Sequence, residues 1–193
     1  GELLLPSGCV RRVLVVEGES DRGALEMLAA RLGRRLEAEG VAILPLGGAT
    51  NLGHLLRGLA GTHAEARVAG LCDADQEAAF RRHLEAAGLG EDLDRDGMEQ
   101  LGFFVCNADL EDELIRALGT SRARELIAAQ GELASFDIFR KQPAQRDRAV
   151  DAQLRRFIGT RSGRKLRYGR AMVEGLDLGC VPRPLAAVLA GVP

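Results

Sequence analysis

Short, unbroken apolar runs alternate with amphipathic segments along the first 120 residues of the chain. The run Val13–Val16 is rich in β-branched residues, which is typical of a strand buried on both faces of a sheet. Apolar residues at helical spacing follow it and predict an amphipathic helix over residues 21–39. Because such runs and helical segments alternate, we expect an α/β fold with a mainly parallel four-stranded sheet, right-handed crossovers and flanking helices. The other strands are predicted at Val41–Leu46, Arg67–Cys72 and 101–106.

The remaining predicted elements are helices and one loop. Asn51 is predicted to cap the helix that follows strand two. A further helix is predicted over residues 76–88, and the polar stretch 89–100 is interpreted as a loop. Beyond residue 134 the pattern predicts only short helical segments, the last of them at 184–190. We therefore divide the chain into a leader or linker at 1–11, an α/β core at 12–120, and a helical, basic C-terminal extension at 121–193 that packs on the core.

Acidic clusters directly follow three of the four predicted strands. In an open α/β sheet the carboxyl ends of parallel strands line up along one edge, which is where ligands bind. Carboxylates brought that close repel each other strongly unless a cation neutralises them, and hard divalent cations prefer oxygen ligands. The sequence therefore predicts a magnesium-type site at this edge. The clusters are Glu17, Glu19 and Asp21 after strand one, Asp73 and Asp75 after strand three, and Asp109 and Glu111 after strand four.

The spacing within two of these clusters supports a shared site. Glu17 and Asp21 are four residues apart across a strand-to-helix turn, so both carboxylates can lie on the same side of that turn. Gly18 between them permits a tight turn. Asp73 and Asp75 are separated by one residue and face the same way in extended backbone. Either pair alone would also fit a helix cap or a solvated turn, but both pairs at strand ends favour a functional site.

Composition is that of a soluble globular protein able to bury a core, with 46% apolar and 28% charged residues among 193. No apolar run approaches the ~20 residues needed to span a bilayer, and no signal-peptide layout is present, so the cytoplasm is the expected compartment. The four cysteines lack CxxC spacing, which argues against a zinc site or a disulfide framework. The histidines, His54, His63 and His83, form no ligand spacing and are expected at surface or boundary positions.

Basic side chains concentrate in the C-terminal third, although the formal net charge is only −2. Eleven basic and two acidic residues lie between Arg140 and Arg170. An acidic edge beside a basic region suits a metal-dependent enzyme acting on a polyanion, although a solvated basic helix face has the same pattern. Aromatic residues make up only 4%, so we expect salt-sensitive arginine–phosphate contacts with little sequence preference instead of base stacking. The arginines predicted to bind DNA are Arg155, Arg156, Arg161, Arg164 and Arg167.

The acidic motifs resemble those of the TOPRIM domain, which topoisomerases, bacterial primases, recombination mediators and a set of nucleases share. Glu17-Gly18-Glu19-Ser20-Asp21 and Asp73-Ala74-Asp75 match its two signature motifs. Leu110-Glu111 is similar to the extra metal-binding glutamate of OLD-family (overcoming lysogenization defect) nucleases. Lys165-Leu166-Arg167-Tyr168-Gly169 resembles their late Lys-Gly-Arg-Phe-Ala segment, with leucine and glycine in place of the usual glycine and alanine. The resemblance is greatest to the C-terminal TOPRIM nuclease domain of OLD-family ATP-dependent endonucleases.

The resemblance implies a TOPRIM-type, Rossmann-like fold and a Mg²⁺- or Mn²⁺-dependent DNA endonuclease or nickase. Two divalent ions about 4 Å apart would activate a water and stabilise the leaving oxygen during phosphodiester hydrolysis. Glu17 and Lys165 are the implied catalytic residues, the lysine stabilising charge on the phosphorane. Lys141, the only other lysine of this arginine-rich chain, is the alternative. The implied metal ligands are Glu17, Asp21, Asp73, Asp75 and Glu111, with Glu113 in reserve for Glu111, while Asp109 and Asp112 are expected as helix-start charges.

The implied partners are DNA and an ABC-type ATPase, since OLD-family proteins usually carry such an ATPase ahead of the TOPRIM part and no P-loop is found in this sequence. A topoisomerase is disfavoured because the only tyrosine is Tyr168, and a primase because no zinc module is present. A receiver- or phosphatase-like enzyme would need an aspartate where the chain has Glu17. The remaining alternative is a non-catalytic or partner-dependent DNA-binding TOPRIM module that needs a separate ATPase.

Overall fold

A wholly parallel four-stranded sheet organises the protein. The computed structural model describes residues 10–62, 67–161 and 163–191. The strands are β1 (Arg12–Val16), β2 (Val41–Pro45), β3 (Arg67–Cys72) and β4 (Phe103–Val105). Their order across the sheet is β2–β1–β3–β4, with Val13 opposite Ala42 on one side and Val68 on the other. The predicted α/β class and all four strands are confirmed.

Helices flank the sheet on both faces and continue beyond it. Short 3₁₀ turns at Ala74–Gln76 and Leu178–Cys180 connect some of them. The helices of the described ranges are α1 (Glu19–Arg31), α2 (Thr50–Thr62), α3 (Glu77–Ala86), α4 (Arg95–Gln100), α5 (Leu110–Leu118), α6 (Thr120–Ala129), α7 (Leu133–Phe139), α8 (Val150–Gly159), α9 (Arg164–Gly175) and α10 (Arg183–Ala190).

Strand β1 is buried on both faces, as its unbroken apolar run predicts. Side chains alternate across a strand. Leu14 and Val16 therefore enter the core beneath α1, α5, α9 and α10, whereas Val13 and Val15 enter the core beneath α2 and α3. All four side chains are at most 1% exposed. The carboxyl end of β1 is thus held rigidly between two packed layers of helices.

Helix α1 is shorter than predicted, since it ends at Arg31 and not near residue 39. Gly33 has φ +74°, a left-handed conformation that glycine adopts without a steric penalty. The Arg34 amide donates to the Ala29 carbonyl at 2.9 Å, which closes the helix end. Leu36 then packs against the core from a turn, so its apparently helical spacing reflects burial outside the helix.

Two further local predictions are wrong. The polar stretch 89–100 contains helix α4, because Asp94 Oδ1 accepts a hydrogen bond from the Gly97 amide at 2.7 Å and caps its first turn. Asn51 lies inside α2 instead of capping it, and its Nδ2 donates to the Leu46 carbonyl at 2.7 Å. The closing helix predicted at 184–190 is confirmed as α10.

Helix α9 crosses α1 at close range and joins the C-terminal third to the sheet. A Cβ added at Gly23 of α1 would lie 2.7 Å from Leu166 Cδ1, and one at Gly169 of α9 would lie 3.5 Å from the Ser20 carbonyl oxygen. Arg31 Nη1 closes the other end of the crossing by donating to the backbone carbonyls of α9 and its C-cap at 2.7 and 2.5 Å. Small residues at the crossing let the two backbones approach, which positions the first turn of α9 beside the end of β1.

Some sequence predictions fall outside the described residues, namely most of the leader at 1–11, Cys9 and His63. Cys72 and Cys106 are free thiols buried near the ends of β3 and β4, as expected for small packing residues. His54 is exposed and His83 half-buried. Within the described ranges, no helix combines the length and apolarity needed to cross a bilayer.

Gly70, in the middle of β3, provides a test of how tightly the sheet is packed. A Cβ at this position would lie 2.7 Å from both Phe103 Cδ1 and Val15 Cγ2. We expect Gly70→Ala to lower the free energy of unfolding by about 1–3 kcal/mol, because side chains on both neighbouring strands must shift. Urea denaturation measures this change. Gly159→Ala, where an added Cβ meets no atom within 4 Å, is the matched control, and equal stability of the two variants would contradict the packing argument.

Candidate metal centre

The carboxyl ends of β1, β3 and β4 are neighbours, because β2 lies on the outer side of β1. Backbone pairing continues beyond the last two strands. The Cys106 amide donates to the Cys72 carbonyl, and the Ala74 amide donates to the Ala108 carbonyl, both at 2.9 Å. The three acidic clusters of the sequence are therefore brought to one edge, as the strand pattern predicts.

Three carboxylates at this edge form a compact group: Glu17, Asp73 and Asp75 each place one oxygen within 4.8 Å of the other two. Glu17 follows β1 directly, Asp73 follows β3, and Asp75 lies in the 3₁₀ turn that comes next. Glu17 and Asp73 are half-buried and Asp75 is exposed, so the group opens to solvent on one side. Glu17 Oε2 is buried and has no hydrogen-bond partner among the described residues.

Asp21 lies behind this group, in the first turn of α1. Its side chain is buried, and Oδ2 accepts a hydrogen bond from the Gly18 amide at 2.7 Å. This bond holds the turn between Glu17 and Asp21 tight. Burial raises the pKa of Asp21 to about 6, and the charges of Glu111 and Glu17 act in the same direction.

Asp73 has the most perturbed carboxyl of the edge. Burial, followed by the charges of Asp21 and Glu17, raises its pKa to about 8. Without a cation, the cluster therefore favours the protonated, neutral form of this carboxyl. Strongly raised carboxyl pKa values in a cluster open to solvent are typical of functional sites, because a structural cluster would normally contain its own counter-charges.

Glu111 enters the site from the first turn of α5 and is only 2% exposed. Its Oε2 pairs with Lys165 Nζ at 3.1 Å, whereas its Oε1 is buried and has no hydrogen-bond partner in the part of the chain that the structure describes. Burial raises the pKa of Glu111 even though the charge of Lys165 opposes this shift. Burial by itself would lower the pKa of Lys165, but the charge and hydrogen bond of Glu111, together with the charges of Asp109 and Asp73, raise it. Lys165, on the first turn of α9, is therefore held charged at the carboxylate edge.

The other acidic residues after β4 have structural partners. Asp109 caps α5 by accepting from the Asp112 amide at 2.8 Å, as expected for a helix-start charge. Glu113, the predicted reserve for Glu111, accepts from the Asn107 amide at 2.7 Å and pairs with Arg116 at 2.7 Å. Its carboxylate thus holds the turn before α5, so Glu111 is the residue of this helix that lies in the cluster.

The five arginines predicted to contact DNA differ in their surroundings. Arg156 and Arg161 are exposed. Arg155 pairs with Asp109 at 2.6 Å while its side chain stays 41% exposed. Arg167 is about half exposed and pairs with Glu132. These four can present a guanidinium to a bound polyanion.

Arg164, the fifth of these arginines, is buried and does not belong with the other four. Its side chain is 4% exposed, and it pairs with Glu132 at 2.7 Å while its guanidinium lies 3.9 Å from the centre of the Phe157 ring. It also donates to the Thr160 hydroxyl at 2.8 Å. Glu132 accepts from the Tyr168 hydroxyl as well, at 2.8 Å. Arg164 therefore anchors the start of α9, and Tyr168, fully buried with a raised pKa, is likewise structural.

A cleft of about 440 Å³ adjoins the carboxylates and was not predicted from the sequence. It begins at Glu111 and Lys165 and runs between α7, α8 and the turns around them. We call it the α8 cleft. Its lining consists of Asp109, Glu111, Phe139, Gln145, Arg148, Ala152, Arg155, Arg156, Gly159, Thr160 and Lys165. Gln145, Arg148 and Phe139 lie far from the acidic motifs in sequence, and only a basic local composition marked that region.

The carboxylate cluster fits a divalent metal ion. Its donors are hard oxygens, the type that Mg²⁺ and Mn²⁺ bind. The unpartnered oxygens, Glu17 Oε2 and Glu111 Oε1, are acceptors that a cation would satisfy. Lys165 is the one lysine beside these carboxylates within the described ranges, whereas Lys141 is exposed after the end of α7 and does not line the α8 cleft.

Comparisons with known proteins agree with this geometry. A family model described as the TOPRIM domain of overcoming lysogenization defect protein-like sequences matches residues 10–75, which include both signature motifs. The fold is similar to the C-terminal region of the Burkholderia pseudomallei OLD protein (TM-score 0.71, 22% identity, 95% of this chain and 96% of that one). It is also similar to the C-terminal region of the Xanthomonas campestris pv. campestris OLD protein (TM-score 0.68, 24% identity, 94% of each chain). No curated protein sequence matches the chain.

The matched segment covers β1, α1, β2, α2 and β3, together with the Glu17, Asp73 and Asp75 group. The structural likeness extends over nearly the whole chain, including the C-terminal helices. Residues 10–75 therefore form part of an OLD-like TOPRIM domain, and the chain has the fold of the C-terminal regions of OLD proteins.

Proposed function

We propose that the chain is a Mg²⁺- or Mn²⁺-dependent DNA endonuclease or nickase domain that hydrolyses phosphodiester bonds. The observation that carries the proposal is the grouping of Glu17, Asp73 and Asp75 within 4.8 Å, beside a buried Glu111 that Lys165 contacts. A cluster of carboxylates with one lysine at its rim suits a reaction in which negative charge develops on a phosphoryl group. The basic α8 cleft next to it suits a polyanionic substrate.

The carboxylates are assigned to two sets, and each set would hold one ion. Glu17, Asp73 and Asp75 form the first set. The more deeply buried Asp21 and Glu111, on α1 and α5, form the second set beside it. When bound, the ions would supply a nucleophile at neutral pH and charge stabilisation at the leaving oxygen. Glu17 is assigned a catalytic role because it lies at the end of the central strand β1 and belongs to the first set.

Lys165 is assigned to the stabilisation of charge on the reacting phosphoryl group. Its ammonium is a compact point charge, and its contact with Glu111 orients it along the carboxylate edge. Arg155, Arg156, Arg161 and Arg167 would bind flanking phosphates. We propose that the domain works in the cytoplasm together with an ABC-type ATPase domain or subunit, as the likeness to C-terminal regions of OLD proteins suggests.

Plasmid cleavage tests the proposed activity. We expect nicking or linearisation of supercoiled DNA with Mg²⁺ or Mn²⁺, none with EDTA, and a loss of at least about 10³-fold in Asp73→Asn, which removes a ligand of the compact group. Gel electrophoresis of time courses measures the metal dependence of cleavage and the loss of activity in Asp73→Asn. Asp147→Asn is the control, since this aspartate is 84% exposed on the polar turn before α8. DNA binding without cleavage under any metal would instead favour a non-catalytic, partner-dependent module.

The two lysines provide a matched pair of variants. We expect Lys165→Met to lower the turnover number by about 10²–10³-fold, because a charge that acts on the reacting phosphoryl group is lost. Metal affinity should change little, since the carboxylates remain. Lys141→Met, which removes the same charge from an exposed position, should retain turnover. Steady-state cleavage and Mn²⁺ titration separate the effects, and a reversed order of the two variants would refute the assignment of Lys165.

The raised carboxyl pKa values predict how stability depends on pH without metal. Between the ordinary pKa of Asp73, 3.8, and its folded value of about 8, the folded protein binds more protons than the unfolded chain, so the free energy of unfolding falls as pH rises. We expect Asp73→Asn in EDTA to be more stable than wild type at pH 8 by about 1–2 kcal/mol, roughly 2–8 °C in Tm. The stability difference between Asp73→Asn and wild type should become smaller towards pH 4.

Thermal unfolding between pH 4 and pH 8 measures this difference. Asp147→Asn, with its exposed carboxylate, should follow the wild-type profile. Mg²⁺ should raise the Tm of wild type at pH 8 and leave that of Asp73→Asn nearly unchanged. Parallel pH profiles for wild type and Asp73→Asn would contradict the clustering of charge at the sheet edge.

A further inference from the structure

The α8 cleft has a chemical character that phosphate binding alone does not explain. It begins at Glu111 and Lys165, so it is continuous with the carboxylate edge. Its volume of about 440 Å³ lies in the range of small-molecule sites and is far smaller than a groove for duplex DNA would be. A DNA strand whose reacting phosphate lies at Lys165 would have its neighbouring nucleotide at the mouth of this cleft.

The charges of the lining favour the binding of a phosphate. Four cations and two carboxylates line the α8 cleft. Asp109 is paired with Arg155, and Glu111 with Lys165. Arg148 and Arg156 form no ion pair with a carboxylate of the described ranges. These two side chains give the cleft an excess of positive charge, and Arg148 Nε is oriented by the Ala144 carbonyl at 2.9 Å.

Gln145 differs from these arginines because it offers the cleft a hydrogen-bond acceptor instead of a donor. It is 5% exposed, it lines the α8 cleft, and its Oε1 is buried with no hydrogen-bond partner within residues 10–62, 67–161 and 163–191. An amide oxygen needs a donor, and phosphate oxygens only accept. The N–H groups on the Watson–Crick edge of a nucleobase are such donors, and they are free only when the base is unpaired.

Phe139 supplies an apolar surface in the same cleft. Its ring is half-buried, packs against Phe157 with ring centroids 5.5 Å apart, and lines the α8 cleft. This contact fixes the orientation of the ring, and an aromatic ring together with cations is the combination that binds single-stranded nucleic acid by base stacking. The lining of the cleft thus combines arginines for a phosphate, an aromatic ring and an amide oxygen that accepts no hydrogen bond from the described residues.

From this juxtaposition we propose that the α8 cleft binds one unpaired nucleotide next to the reacting phosphate. Arg148 and Arg156 contact its phosphate, Phe139 stacks on its base, and Gln145 accepts a hydrogen bond from its Watson–Crick edge. The proposal rests on the proposed nuclease function and adds to it a preference for DNA with an unpaired nucleotide at the cleavage position, such as an overhang or a gap, over fully paired DNA.

Fluorescence anisotropy with Ca²⁺ in place of Mg²⁺ tests the proposal as a binding preference. The probes are a labelled blunt duplex and the same duplex with a 5′ or a 3′ single-stranded overhang. We expect wild type to bind one of the overhang probes about tenfold more tightly than the blunt duplex. Gln145→Leu and Phe139→Leu should abolish this preference while keeping affinity for the blunt duplex. Using two variants keeps the test valid if one of them fails to fold.

Arginine variants complete the experiment. Arg148→Ala and Arg156→Ala should weaken overhang binding by about three- to tenfold, because each removes one phosphate contact. Arg82→Ala, an exposed arginine on α3 at the other face of the sheet, is the matched charge control and should bind like wild type.

The outcomes separate the two proposals. An overhang preference without Mg²⁺-dependent cleavage would support the nucleotide site and overturn the nuclease. Cleavage with equal affinity for paired and overhang probes would overturn the nucleotide site alone. Failure to bind either probe, or a preference that survives both Gln145→Leu and Phe139→Leu, would also overturn the nucleotide site.

Discussion

Carboxylates crowded at one sheet edge repel one another, and the packing of the whole protein has to overcome this repulsion. Parallel pairing brings the ends of β1, β3 and β4 side by side, and each end is followed by acidic residues. Burial, followed by the charges of Asp21 and Glu17, raises the pKa of Asp73 to about 8, so ionising this carboxyl is unfavourable without a cation. Such a cluster persists only because strands buried on both faces hold it in place, so the core stabilises an edge that by itself opposes folding.

Helix α9 supplies the positive charge that the edge lacks, and its packing explains how a lysine so distant in sequence reaches the site. Close approach at Gly23 sets α9 against α1, and Glu132 fixes its first turns through Arg164 and the Tyr168 hydroxyl. Lys165 then lies 3.1 Å from Glu111. The C-terminal helices are therefore a part of the site and not only a basic appendage to it.

The sheet and the carboxylates follow from local sequence signals, because an apolar run and the acidic residues directly after it report on one strand end. Features that depend on long-range packing do not follow from local sequence signals. The pattern of basic residues could not distinguish buried Arg164 from exposed Arg161, since the difference lies in Glu132, 32 residues away from Arg164. Gln145 carries no signal in the sequence either, because its cleft exists only where α7, α8 and α9 meet.

Measuring metal binding tests directly whether the strand-end carboxylates form a metal site. Electron paramagnetic resonance of Mn²⁺ titrated into wild type and Glu17→Gln reports bound ions without any requirement for catalysis. We expect saturable binding to wild type, with a loss of at least one ion in Glu17→Gln and unchanged stoichiometry in Lys141→Met. If wild type binds no Mn²⁺, or if Glu17→Gln binds it as wild type does, the strand-end carboxylates do not form a metal site.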